Sequence, residues 1–152
     1  MDKKQVLIGI ERDLMDVTMV YQALNDVFDV GYDFSECARG MDVVTRAMYA
    51  NHFGRPFELL IFSDFRNATG RSIHQELNLG EVVGMIRSMR AYEKTPLMLV
   101  SDYYLDFPYK NLGVSVWVEL RANREEWENA IQSAVGEESD NRSNAWYKIP
   151  LG

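Results

Sequence analysis

Apolar residues fall along this chain in short unbroken runs that alternate with stretches of helical spacing. The runs 6–10, 57–62, 96–100 and 114–118 are almost wholly apolar, and a weaker run covers 32–38. Each has the length and content of a strand, the strongest of them buried on both faces of a sheet. Between them, Val17, Val20, Tyr21, Leu24, Val27 and Phe28 recur at helical spacing up to Gly31, and Val43, Val44, Ala47 and Met48 do so within 41–53 before Gly54 and Pro56. A third helix is predicted over 81–92, with Val82, Met85, Ile86 and Met89 as its core stripe, and a last one from 123 or 124 to about 135. Strict alternation of strand and helix predicts an α/β domain: a three-layer, doubly wound, five-stranded parallel sheet covered on both faces.

The chain has 152 residues, 47% of them hydrophobic and 26% charged. That suits one globular domain burying roughly 70% of its unfolded surface, with no disulfide or metal staple required. The domain is expected over 1–135. Residues 136–143 are polar and acidic, so 136–152 reads as a flexible C-terminal tail. Ala145-Trp146-Tyr147-Lys148-Ile149-Pro150-Leu151 regains apolar and aromatic character within it, which suits either docking on a surface or a tag-like remainder.

Charge removes one class of function. The formal net charge is −7 with Lys and Arg scattered, so nucleic acid is not an expected partner. The apolar stretch after Met1-Asp2-Lys3-Lys4 is short and interrupted by Gly9, and no later stretch approaches about 20 apolar residues, so no membrane span is expected. The single Cys37 forms no internal disulfide and reads as a small core residue, in keeping with a reducing cytoplasm. The loop Glu11-Arg12-Asp13-Leu14 has no Gly or Ser/Thr cradle, and no Walker or G-x-G-x-x-G pattern occurs, which argues against a nucleotide or flavin enzyme.

Candidate chemistry gathers where the predicted strands end. In a doubly wound sheet the loops after strands one, three, four and five meet at one edge. Here they bring Glu11 and Asp13, then Asp64, then Ser101 and Asp102, then Glu119. Each carboxylate alone also suits a solvated loop, and Asp64 suits capping of the turn after its strand. His52, at a helix end, and His74, in a loop, are read as structural.

The segments Val6-Leu7-Ile8-Gly9-Ile10-Glu11-Arg12-Asp13, Leu59-Leu60-Ile61-Phe62-Ser63-Asp64, Pro96-Leu97-Met98-Leu99-Val100-Ser101 and Gly113-Val114-Ser115-Val116-Trp117-Val118-Glu119 resemble the receiver domain of two-component response regulators. The likeness covers about residues 4–135. It implies a (βα)5 flavodoxin-like fold, Asp64 as phosphoacceptor, Ser101 as the hydroxyl that follows the phosphoryl group, and Glu11, Asp13 and Asp64 as ligands of a weakly held Mg2+. Phosphoryl transfer to a carboxylate needs a cation to neutralise the transferring oxygens, and Mg2+ takes hard oxygen ligands.

The departures point elsewhere. Arg12 stands where the resemblance implies a second metal-ligating carboxylate, and Glu119 stands where it implies the lysine that pairs with the phosphoryl group. Val116 takes the place of the family's mid-strand aromatic, with Trp117 next to it on the opposite side. The stretch between Ser101 and Gly113 is short and contains Pro108, so the fourth helix is expected to be short or absent. It carries Tyr103, Tyr104, Phe107 and Tyr109, which with Trp117 form a candidate interaction surface. Residues 66–80 read as an insertion overhanging the same edge.

The sequence therefore predicts a stand-alone, cytoplasmic, non-enzymatic signalling module of the two-component, phosphorelay type, a pseudo-receiver with a degraded phosphorylation site. Its partners are proteins, a histidine kinase or a regulatory target, and the fourth and fifth strand face suits a homodimer. The alternative is a competent response regulator phosphorylated on Asp64 by a histidine kinase with Mg2+.

Overall fold

The computed structural model describes residues 3–10, 17–28, 31–37, 39–63, 77–101, 113–119, 121–136 and 147–148. The apolar runs form β1 (Lys4–Gly9), β3 (Leu59–Ser63), β4 (Leu97–Ser101) and β5 (Val116–Glu119), and the weaker run forms β2 (Tyr32–Cys37). Helices α1 (Thr18–Val27), α2 (Gly40–His52), α3 (Leu79–Arg87) and α4 (Arg124–Gly136) intervene. All strand pairs are parallel, in the order β2-β1-β3-β4-β5-β6. The added β6 (Tyr147–Lys148) makes six strands where five were expected, and it comes from the stretch read as a tail.

Side-chain alternation along the central strands divides the core into two layers. Val6, Ile8, Leu59, Ile61, Met98, Val100, Val116 and Val118 pack under α1 and α4, whose Leu24, Trp127 and Ile131 are fully buried. Leu7, Leu60, Phe62, Leu97, Leu99 and Trp117 pack on the other face, under α2 and α3. A helix covers each face of the sheet, as the both-sided apolar runs require.

Helix boundaries follow local chemistry. Before α3 the Asn78 side chain accepts a hydrogen bond from the Glu81 amide at 2.8 Å, and Glu81 Oε1 accepts from the Asn78 amide at 3.0 Å. This reciprocal cap starts the helix at Leu79, two residues earlier than predicted. The same Asn-x-x-Glu device opens α4 through Asn123 and Glu126, at 2.8 Å in each direction. The predicted helix over 81–92 is broken. It ends at Arg87, Met89 turns extended, and a separate 3-10 turn follows at Arg90–Tyr92. The buried stripe of α3 is Leu79, Val82, Val83 and Ile86, so Met85, expected in the core stripe, is instead 45% exposed. Outside the core, Arg124 Nε donates to Asp26 at 2.8 Å, tying α4 to α1.

Tyr92 closes the α2 side of the core. Fully buried, it donates its hydroxyl to the Ala47 carbonyl at 2.9 Å and accepts from the Phe57 amide at 3.3 Å. Among the described residues, no helix is long and apolar enough to cross a membrane.

Candidate functional site

The strand order turns at β1, since the chain passes from β1 outward to β2 and returns across to β3. Doubly wound sheets open a crevice at such a point, beyond the carboxyl ends of the strands. Gly9 lies opposite Phe62 there, one residue before the Ser63 that ends β3. Ser63 is fully buried, and Asp64 follows it in the chain.

One strand further on, Ser101 ends β4 and Glu119 ends β5, and the two are register partners. Leu97, Leu99 and Ser101 alternate onto one face, and Trp117 and Glu119 onto the same face. Hydroxyl and carboxylate thus share the α2–α3 side of the sheet's C-terminal edge, on strands that neighbour each other at about 4.8 Å. Ser101 is 5% exposed and Glu119 partly so.

An arginine that sequence reasoning missed fixes the approach to both strands. Arg87, at the end of α3, donates to the carbonyls of Tyr92 at 2.8 Å, Thr95 at 2.7 Å and Gly113 at 2.8 Å. The first two precede β4 and the third precedes β5. A guanidinium has the forked donors to hold several carbonyls at once. Gly113 adopts φ +75°, and a Cβ there would stand 3.1 Å from Arg87 Nη2. No sequence signal marks such a clamp, because its acceptors are backbone atoms.

Of the predicted site residues, the structure brings together Ser101 and Glu119. Glu11, Asp13 and Asp64 lie outside the described residues, as do Asp102, Tyr103, Tyr104, Phe107 and Tyr109, the stretch where a fourth helix was expected to be short or absent, and His74. Among the described residues, no group of three or more His, Cys, Asp or Glu is placed to hold a metal ion. Trp117, expected on a contact surface, is 2% exposed and packs in the layer under α2 and α3, because odd positions of β5 point into that layer. Val116 faces the opposite layer, as alternation predicts. His52 is the last residue of α2, where a basic group suits the helix dipole, and its ring lies edge-on to Phe53 at 5.0 Å. Cys37 is buried in the α2–α3 layer, as a small core residue would be.

No family model matches the sequence, and no curated protein matches it. Solved structures do. The chain is similar to the chemotaxis protein CheY4 of Vibrio cholerae, with 19% identity and a TM-score of 0.66 over 88% of this chain and 99% of that one. It is similar to the receiver domain of the sensor histidine kinase PA1611 of Pseudomonas aeruginosa, which has a magnesium ion coordinated in its active-site cleft. There identity is 14% and the TM-score 0.64, over 90% of this chain and 100% of that one. A phosphorylated cyanobacterial phytochrome response regulator, RcpA, matches with 13% identity and a TM-score of 0.65 over 88% and 94%. The chain has the flavodoxin-like fold of response-regulator receiver domains, and at these identities the likeness is one of fold.

Proposed function

We propose that this chain is a pseudo-receiver: a signalling module on the receiver fold that acts through protein contacts, with its phosphorylation site degraded. One observation carries the reading. The Glu119 carboxylate stands in register with Ser101 on one face, where a receiver of the usual kind would hold a cation against the incoming phosphoryl group. Two unit charges at about 4 Å interact by about 4 kcal/mol at an effective dielectric near 20, so exchanging attraction for repulsion strongly disfavours a phosphoryl dianion. Arg12 adds to this, since a guanidinium cannot ligate a metal.

In this reading Asp64 keeps the position of the phosphoacceptor in the chain, directly after β3, without its supporting charges. Glu11, Asp13 and Asp64 would supply oxygen ligands for a weakly held Mg2+, whose chemistry when bound is to neutralise charge on phosphoryl oxygens. With Trp117 buried, the contact surface falls to Tyr103, Tyr104, Phe107 and Tyr109, between β4 and β5. The proposed partner is a protein, either a histidine kinase or a regulatory target, in the cytoplasm.

Beryllium fluoride, a phosphoryl mimic, tests the reading, since another receiver domain similar to this chain, that of DrrB, is described as activated by BeF3. With Mg2+ and the mimic, the backbone amide signals of Ser101 and Glu119 are expected to stay in place. A saturable shift that disappears in Asp64→Ala would make the chain a competent response regulator instead.

A further inference from the structure

The strand beside β5 does not belong to the domain's own winding. β6 pairs in parallel with β5 through Val116 with Tyr147 and Trp117 with Lys148. Only two of the four residues of β5 are engaged, leaving Val118 and Glu119 beyond the ladder. So short a ladder supplies few hydrogen bonds.

The connection is also of the wrong hand. α1 and α4 pack together on the same face of the sheet. The β1–α1–β2 unit steps toward the β2 edge over that face, whereas β5–α4–β6 steps toward the opposite edge over the same face. The two crossovers therefore have opposite hands. Parallel crossovers are right-handed in about 98% of cases, and β1–α1–β2 shares its hand with β2–α2–β3 and β3–α3–β4, which step the other way over the other face. β5–α4–β6 is then the left-handed exception.

A left-handed connection closing on a two-residue ladder describes a strand added to a finished sheet. An edge strand without a partner presents a row of backbone donors and acceptors that any extended chain can pair with. We infer that the outer edge of β5 is a strand-acceptor site, and that the segment around Tyr147–Lys148 is its built-in ligand, a displaceable strap that keeps other extended peptides off the edge. The ligand class is an extended apolar and aromatic peptide running parallel to β5, of the kind this chain itself carries in Trp146-Tyr147-Lys148-Ile149. The inference is independent of whether Asp64 accepts a phosphoryl group.

The test uses the full chain and a labelled peptide with the sequence of residues 145–151, followed by fluorescence anisotropy. Tyr147→Pro removes a ladder donor from the strap, since the register with β5 turns the Tyr147 amide, not that of Lys148, toward β5; among the described residues the last buried core residue, Ala134, lies well before it. The variant should bind the peptide saturably and at least about tenfold more tightly than the unsubstituted chain, whose edge is mostly taken. A peptide carrying the same proline should not bind. Hydrogen exchange gives the second readout: in Tyr147→Pro the β5 amides should exchange faster while those of β1 and β3 do not change. Equal peptide binding by both chains, binding by neither, or unchanged β5 protection would each overturn the inference.

Discussion

Ser101 and Glu119 are register partners that end neighbouring strands on one face of the sheet. In the proposed reading, this buried hydroxyl and acidic group stand where a receiver-type site would need a hydroxyl and a cation. Reversing the charge is therefore informative. Glu119→Lys should tighten binding of inorganic phosphate by at least about tenfold, equivalent to roughly 1.4 kcal/mol and well inside the swing expected at that spacing. The shift of the Ser101 amide during a phosphate titration measures it, and an unchanged affinity would show that charge at position 119 does not reach this edge.

The Arg87 clamp carries a stability prediction. Arg87→Ala removes the charge-assisted hydrogen bonds to the Tyr92, Thr95 and Gly113 carbonyls and the longer one to Glu93, and should destabilise the fold by about 2 kcal/mol. Gly113→Ala should cost about 1 kcal/mol, because φ is +75° there and the added methyl meets the guanidinium. Urea unfolding of both variants at unchanged slope checks these values, and the double variant should lose less than the sum, since the two residues touch.

Tyr92→Phe isolates one buried hydroxyl. The substitution keeps the ring but leaves the Phe57 amide without the oxygen it donates to, and takes away the donor to Ala47. A loss of about 1–3 kcal/mol in thermal or urea unfolding is expected. A neutral result would mean that water replaces the hydroxyl.

The Cys37 thiol is pushed up to about 11, chiefly by burial, with nearby Arg46 opposing and Asp42 and Glu36 adding. A folded-state value raised above the unfolded one means that the neutral thiol contributes stability fully below the unfolded value. That contribution is lost as pH rises from the ordinary thiol range toward about 11. Unfolding free energy should therefore fall across this window in the unsubstituted chain and fall less in Cys37→Ala. Iodoacetamide at neutral pH should alkylate the unfolded chain far faster than the folded one.

The sequence made the sheet legible because β3, β4 and β5 are unbroken apolar runs that admit no other reading at their length. The Ser101–Glu119 pairing was legible for the same reason: once both runs are parallel neighbours, their ends meet. Less was legible in α3. Asn78 and Glu81 spell a helix start, yet apolar spacing drew the boundary later, and continuing that spacing through Met89 hid the break after Arg87. Trp117 was misassigned to a surface although strand alternation sends it inward. β6 could not be read, because two residues beyond a polar stretch have no periodicity, and their pairing depends on an edge that exists only after the sheet has formed.

The central claim, that the Asp64 site no longer accepts a phosphoryl group, is tested most directly by the mass of the intact chain after incubation with acetyl phosphate and Mg2+, beside an Asp64→Ala control. The pseudo-receiver reading predicts the unmodified mass in both. An added phosphoryl mass on the unsubstituted chain that is lost in the control would contradict it, and would restore Asp64 as a working phosphoacceptor despite Glu119.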